Sequence, residues 1–267
     1  MPATPVLSVI VPAYREGRRI HANILQLLRE LDGMGVDYEV LVISDGNADE
    51  TVAEAERVAS PRVRVFAYPV NEGKGFAIMN GVGHARGELI AFIDADMEIK
   101  PEGLARCVAV QREGGWDVVA GSKRHPDSQV SYPWLRRAQS WVYQVLIRVL
   151  FRLDLRDTQT GLKLFRGEVF RAVVPLLSVK RFAFDLELLV VARKLGFRRF
   201  VEVPVKIAYQ FETTTNAAAA YHALWDTAAI FYRLHFLRHY DRRLAQLATT
   251  LARRKDDVGK TPDQDWS

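Results

Sequence analysis

Cysteine is nearly missing from this chain: its 267 residues include one, Cys107. A single thiol excludes an intrachain disulfide and a cysteine-rich zinc site, and it favours a reducing compartment, which points to the cytosol. Long apolar runs are missing as well. No segment supplies the roughly 18 consecutive apolar residues of a membrane span, and the start Met1-Pro2-Ala3-Thr4-Pro5 lacks the basic-then-apolar layout of a secretion signal. The expectation is a chain that is neither secreted nor membrane-spanning. With 49% hydrophobic and 26% charged residues, its composition suits one sizeable α/β domain with an appendage.

Charge of one sign is in modest excess. The net charge is +5, and the basic residues crowd positions 123 to 171 and 233 to 254. Such patches favour an anionic partner, whether nucleic acid, an acidic membrane surface or a phosphorylated substrate, and charge does not choose among the three.

The first half alternates strand and helix patterns. Strands are predicted at 7–12, 38–46, 63–66 and 89–96, with helices at 20–31, up to Val58, at 75–85 and at 101–112, then a strand at 117–121. Asp49 or Thr51 is placed to cap the second helix, and Pro101 suits a first helical turn. This order implies right-handed crossovers and a mostly parallel, doubly wound sheet. Ligands of such sheets sit beyond the carboxyl ends of the strands. Four polar clusters fall there: Tyr14 to Glu16, Asp45-Gly46-Asn47, Asp94 with Asp96, and Ser122-Lys123-Arg124.

The most telling stretch is Leu89-Ile90-Ala91-Phe92-Ile93-Asp94-Ala95-Asp96. Alternate side chains of a strand share a face, so Asp94 and Asp96 can converge where the strand runs out. Two hard oxygen ligands there suit Mg2+ or Mn2+ with positions left for phosphate oxygens. A solvated loop is the plainer reading of Asp-x-Asp. The unbroken apolar run before it, typical of a buried parallel strand, supports the metal and phosphate site. With Asp45 able to accept from a base or ribose hydroxyl, and basic groups to neutralise phosphate, the clusters together describe a nucleotide diphosphate pocket. Gly81-Val82-Gly83-His84-Ala85-Arg86-Gly87 is no dinucleotide fingerprint, because it ends a helix rather than opening one after a strand.

Val9-Ile10-Val11-Pro12-Ala13-Tyr14-Arg15-Glu16, Ser44-Asp45-Gly46-Asn47-Ala48-Asp49 and Asp94-Ala95-Asp96, in that order, resemble the signatures of the inverting family-2 glycosyltransferases of the GT-A fold. Asp157-Thr158-Gln159-Thr160-Gly161-Leu162-Lys163-Leu164-Phe165 and Phe184-Asp185-Leu186-Glu187-Leu188-Leu189 are similar to segments of dolichyl-phosphate glucose synthases and, more loosely, mannose synthases. The resemblance covers about residues 6 to 235. It implies a Rossmann-like α/β fold with a mostly parallel sheet flanked by helices. It also implies a metal-dependent enzyme that moves a hexose with inversion from a nucleotide diphosphate sugar to a polyprenyl or dolichyl phosphate. UDP-glucose is the first expectation for the donor, with GDP-mannose open.

By position, the resemblance puts Pro12, Tyr14, Glu16, Asp45 and Gly46 around the nucleotide sugar, with Asp94-Ala95-Asp96 against its ribose or diphosphate. Asp94, Asp96 and Glu98 would hold Mg2+ or Mn2+, and Lys123 or Arg124 would meet the acceptor or donor phosphate. Asp157 would lie beside the transferred sugar or acceptor phosphate, or else simply cap a turn. Lys74, in Gly73-Lys74-Gly75, either approaches the donor or sits in a plain loop. Asp185 and Gly196 fall where a helix begins and ends, so capping is their alternative role. The pattern departs from the family at Ser44, where an acid is usual, at Arg15, where Asn is usual, at Glu98, often Gln in mannose synthases, and at Gln210 to Thr215, where relatives are basic.

Two amphipathic stretches bear on the acceptor. From Trp134 to Leu153, Trp141, Val145, Val149 and Val142, Leu146, Leu150 recur every fourth residue beside Arg136, Arg137, Arg148 and Arg152. Arg136 and Arg137 are the expected ligands of the acceptor phosphate. From Tyr221 to Tyr240, Trp225, Phe231, Tyr232 and Leu237 mix with Arg233 and Arg238, a composition that suits a membrane headgroup layer or packing on the domain itself. The expected layout is a catalytic domain at 1–212, an amphipathic interface helix at 213–245 and a polar, disordered tail at 246–267. The expected setting is peripheral, on the cytoplasmic side of a membrane, with room for a small membrane subunit and no nucleic acid. A transferase with a soluble or polysaccharide acceptor would need a carboxylate base near the acceptor hydroxyl. A non-catalytic nucleotide-binding protein would tolerate loss of Asp94 and Asp96.

Overall fold

The computed structural model of the chain describes residues 5–128, 134–180, 183–207 and 217–258. Seven strands form one sheet: β1 (Leu7–Ala13), β2 (Tyr38–Asp45), β3 (Val63–Tyr68), β4 (Leu89–Ile93), β5 (Val118–Ser122), β6 (Leu162–Arg166) and β7 (Phe200–Pro204). Their spatial order is β3-β2-β1-β4-β6-β5-β7. The helices are α1 (Ile20–Gly33), α2 (Thr51–Glu56), α3 (Lys74–His84), α4 (Glu102–Gly114), α5 (Trp134–Phe151), α6 (Gly167–Val173), α7 (Phe184–Lys194), α8 (Ala217–His235) and α9 (His239–Val258).

Unbroken apolar strands are explained by the layers on both faces. Along β1, Ile10 joins one buried cluster with Phe92, Phe165 and residues of α3, α6 and α7, whereas Val9 and Val11 join the other with Ile24, Leu27 and Leu104 of α1 and α4. Successive residues therefore enter opposite cores, each fully buried aliphatic side chain contributing about 1.5–3 kcal/mol. At the amino edge of the sheet Glu39 is buried, accepting from Ser8 Oγ at 2.7 Å, Arg86 N at 2.8 Å, and the guanidinium groups of Arg86 and Arg64. These donors outweigh the cost of burial and hold the Glu39 carboxyl below its ordinary pKa.

β1, β2, β3 and β4 are parallel, and β5 is parallel to β7. β6, which the strand-helix alternation does not foretell, inserts antiparallel between β4 and β5, with Ile93 opposite Leu162. An antiparallel strand enters from the carboxyl edge of its neighbours, so Thr160 and Gly161 stand beside the end of β4. That one reversal carries the Asp157 to Phe165 segment into the ligand crevice.

The carboxyl-terminal helices pack on the domain. Ile230 of α8 and Tyr240 of α9 are fully buried in the same core as α3 and α7, and Tyr240 Oη donates to the buried Glu187 Oε1 at 2.7 Å. Helix α9 runs through positions 246 to 258, where composition suggests a disordered tail. The correction has a physical cause: Tyr240, Leu244 and Leu247 share one helical face and pack against the core. Residues 259–267 lie outside the described residues.

Candidate active site

The four polar clusters lie at the carboxyl ends of β1, β2, β4 and β5, as the alternation predicts. At the end of β2, Asp45 is buried and both its carboxylate oxygens are engaged: Oδ1 accepts from Tyr68 Oη at 2.8 Å and Glu72 N at 2.7 Å, and Oδ2 from Gly73 N at 2.8 Å. Asp45 thus fixes the loop that delivers Lys74 to the crevice. Ser44, in the place of the usual acid, closes the turn through Oγ to Gly46 O at 3.0 Å. Gly46 has φ +91°, a conformation that favours glycine, and a Cβ there would stand a tight 3.1 Å from Asn71 N.

Lys74 is no plain loop residue. It opens α3, and its Nζ lies 2.5 Å from Asp94 Oδ1, with about a third of each side chain open to the crevice. Although burial opposes a charge on Lys74, Asp94, Asp185 and Asp96 outweigh it and hold the ammonium protonated. Burial pushes the Asp94 carboxyl up, with Asp185 and Asp96 adding to the rise and Lys74 opposing it. Gly161 covers the other side of Asp94: its carbonyl accepts from Asp94 N at 3.2 Å, and a Cβ on Gly161 would fall 1.8 Å from Asp94 Oδ2.

Asp96 lies half-buried beyond the strand, and its Oδ1 accepts from Glu98 N at 2.9 Å, which orients the carboxylate. Ala95, between the two acids, is buried, and its carbonyl accepts from Asn23 Nδ2 at 2.8 Å. Glu98 is turned toward Lys123, Oε1 lying 3.0 Å from Nζ. Lys123 N in turn donates to Asp157 Oδ2 at 3.0 Å, Gln159 N donates to Asp157 Oδ1 at 3.2 Å, and Asp157 N donates to Glu202 Oε1 at 2.8 Å. Asp157 therefore acts as a turn-capping acceptor that sets the position of Lys123. Arg124 N donates to Ser122 Oγ at 3.3 Å, and its half-buried side chain adjoins Lys123. The side chains of Arg136 and Arg137, and residues 208–216 with Gln210 to Thr215, lie outside the described residues.

Near the end of β1, half-buried Pro12 leads to the exposed Tyr14 beyond it, over whose ring the Arg15 guanidinium sits at 5.2 Å. Arg15 has φ +57°, an uncommon backbone for a residue with a side chain, and it turns the chain toward Glu16. Glu16 N donates to Thr51 Oγ1 at 2.8 Å. Burial, with Asp96 and Asp49 nearby, raises the Glu16 pKa against the pull of Arg19.

The donor set suits a divalent cation of the hard, oxygen-preferring kind. Asp96 offers an oriented carboxylate, and Asp94 stands beside it with one oxygen engaged by Lys74. Glu98 does not join them, and among the described residues no three acidic, His or Cys side chains gather as a closed cage. The arrangement is an open site that needs ligand oxygens to complete it, as Mg2+ does on phosphates.

The sequence pattern of glycosyl transferase family 2 matches residues 8–174 of the 267. The chain belongs to that family. Among relatives of this family-2 member, a dolichyl-phosphate beta-glucosyltransferase of Dictyostelium discoideum is 30% identical over 205 residues, 71% of this chain and 63% of that protein. The human dolichyl-phosphate beta-glucosyltransferase is 32% identical over 218 residues, 76% of this chain and 65% of that protein. Glycosyltransferase AglD of Haloferax volcanii is 34% identical over 203 residues, 74% of this chain and 32% of that protein. The chain thus spans 32% to 65% of the length of these relatives. Glucosyl-3-phosphoglycerate synthase of Mycobacterium tuberculosis, solved with Mn2+, UDP and phosphoglyceric acid, superposes with TM-score 0.65 at 18% identity, covering 85% of this chain and 78% of that one. The fold is GT-A.

Sequence reading missed the contacts that organise the family-2 site. Gly161 and Lys163 stand in the segment it singled out, but their facing of Asp94 and Asp185 depends on the reversal of β6. Tyr68, the last residue of β3, lies beyond the strand predicted at 63–66 and carried no signal in the sequence.

Proposed function

We propose that this chain transfers a hexose, glucose by preference, from UDP-glucose to a polyprenyl or dolichyl phosphate, with inversion at the anomeric carbon. The observation that carries the reading is the Lys74–Asp94 contact beside Asp96 at the carboxyl end of β4, opposite Gly161 of the segment shared in kind with dolichyl-phosphate glucose synthases. The names of the 30–32% identical relatives support the same donor sugar and acceptor.

When bound at Asp96 and Asp94, Mg2+ or Mn2+ supplies counter-charge to the leaving diphosphate. The chain's own residues align and neutralise. A phosphate acceptor is already ionised near neutrality, so attack needs no carboxylate base. That fits Asp157, whose oxygens are committed to backbone donors. The Lys74 ammonium is held protonated at the crevice and serves the donor diphosphate. Lys123, fixed by Asp157 and drawn to Glu98, is placed to exchange that partner for a phosphate oxygen, with Arg124 beside it. Tyr14, Glu16 and the turn at Gly46 line the nucleoside end.

Attachment to a membrane surface completes the reading. Among the described residues no helix is long and apolar enough to cross a membrane. Helix α8 instead presents Trp225 and Tyr232 on one face, 65% and 52% exposed, and Phe236, in the turn that follows it, is 69% exposed and stacks on Tyr232 at 5.5 Å. Phe231, expected on that face, packs edge-on against Phe151 at 6.2 Å and belongs to the inner side. Arg233 reaches inward to Glu187, its Nη1 3.7 Å from Oε1, and leaves the exposed Arg238 as the basic companion of this aromatic face, a composition that suits the headgroup layer on the cytoplasmic side.

The deciding assay uses purified protein, labelled UDP-glucose, dolichyl phosphate and Mg2+ or Mn2+, with label followed into the organic phase. Label there supports the reading; GDP-mannose outperforming UDP-glucose changes the sugar, and label confined to water-soluble acceptors overturns the lipid.

A further inference from the structure

Beneath the crevice lies a second ion pair that the proposed chemistry does not use. Lys163, at the start of β6, is fully buried, and its Nζ lies 2.6 Å from Asp185 Oδ1 and donates to Thr160 O at 2.6 Å. A lysine and an aspartate taken out of water are an expensive way to fill a core, and well-packed apolar residues often do as well or better. Stability alone therefore explains the pair poorly.

Its surroundings supply a reason. Thr160 precedes Gly161, the residue that faces Asp94, so the Lys163 ammonium anchors the turn against which the Asp94 carboxylate rests. Asp185 opens α7 next to Phe184, whose ring stands where a Cβ on Gly75 would be, 2.6 Å away, so that helix start abuts the start of α3 that carries Lys74. Gly75 N also donates to Lys180 O at 2.9 Å, joining the same two segments. The ammonium groups of Lys74 and Lys163 lie 5.7 and 5.5 Å from the centre of one ring, Phe92. Four segments, the starts of α3, β6 and α7 and the end of β4, thus meet on two stacked pairs, Lys74–Asp94 above and Lys163–Asp185 below.

We propose that Lys163 and Asp185 are positioning residues for nucleotide diphosphate binding, the buried pair holding Lys74 and Asp94 in register so that the crevice accepts the diphosphate without rearrangement. This rests on the reading of Lys74 and Asp94 as donor-site residues. Outer partners of ligand-binding groups commonly change affinity by about 10–100-fold when removed, and that is the effect expected here.

The test is calorimetric titration of the full chain with UDP and Mn2+, alongside thermal melting, for the parent, Lys74→Met and the double variant Lys163→Met with Asp185→Leu. The double variant removes both charges and leaves neither unpaired, so its melting temperature should stay within a few degrees of the parent. Expected is a tenfold or greater loss of UDP affinity in both variants. If Lys74→Met binds UDP like the parent, the donor-site reading fails; if Lys74→Met is weakened while the double variant binds like the parent, the positioning proposal alone fails. Should the double variant not fold, Asp185→Asn, which keeps size and an acceptor oxygen, takes its place with the same two outcomes. A purely structural pair would lower the melting temperature and leave UDP affinity of the folded protein unchanged.

Discussion

Gly161 faces Asp94 so closely that a methyl group on its Cα would stand 1.8 Å from Asp94 Oδ2 and 2.5 Å from Cγ. Its backbone is not in the left-handed region, so glycine is needed there for space rather than for conformation. The absent side chain sets where the Asp94 carboxylate rests, and with it the reach to Lys74.

Gly161→Ala tests that relationship. The backbone accepts alanine, so the methyl must turn the Asp94 carboxylate away from Lys74, at a stability cost of about 1–3 kcal/mol. Expected are a folded protein and a loss of hexosyl transfer far larger than the drop in melting temperature accounts for. Transfer and melting measured on the same preparation decide it; unchanged transfer would mean that the position of Asp94 does not matter.

Asp96→Asn removes the charge of an oriented carboxylate proposed to hold the metal, while keeping the acceptor for Glu98 N. Turnover should fall by about a hundredfold or more, and the Mg2+ or Mn2+ concentration needed for half-maximal rate should rise. A metal titration of transfer rate checks both. The Glu98→Gln variant should lose less, because Glu98 is turned to Lys123 rather than to the acid pair; equal losses in the two would return Glu98 to the metal.

Glu39 gives a pH dependence of stability with a definite sign. Its folded pKa is depressed below that of the unfolded chain, so its contribution is complete above the ordinary glutamate value of about 4.3 and is lost as pH falls through the lower folded value. Glu39→Gln should cost about 1–3 kcal/mol near neutrality, through loss of charged hydrogen bonds to Arg86 and Arg64. Denaturant unfolding at a series of pH values should show the parent and variant converging only below pH about 4.3. A gap that stays constant on acidification would mean that the carboxylate charge is not the source.

Trp225→Asp combined with Phe236→Asp tests the membrane face, both residues being largely exposed and outside the buried core. The parent should sediment with anionic vesicles at low salt and less so at high salt, and the variant should remain in the supernatant. Circular dichroism checks that α8 persists. A parent that never sediments leaves attachment to a partner membrane subunit, which co-purification from membranes would reveal.

The sequence by itself determined a great deal. Apolar runs such as Leu89 to Ile93 dictate strands buried on both faces, their alternation with helices dictates parallel crossovers, and parallel strands place Tyr14, Asp45 and Asp94 at one edge whatever the packing. The ordered motifs carried the family. What only the tertiary structure decided depends on contacts between residues far apart in the chain. The antiparallel entry of β6 turns Gly161 onto Asp94 and Lys163 onto Asp185; Asp45 accepts from Tyr68 and two backbone amides, and Asp157 from the amides of Lys123 and Gln159. The docking of Tyr240 on Glu187 extends order through α9. Local propensity and period fix elements and the faces they present, but a carboxylate's role is set by which donors reach its oxygens, and those arrive only when the chain has closed on itself.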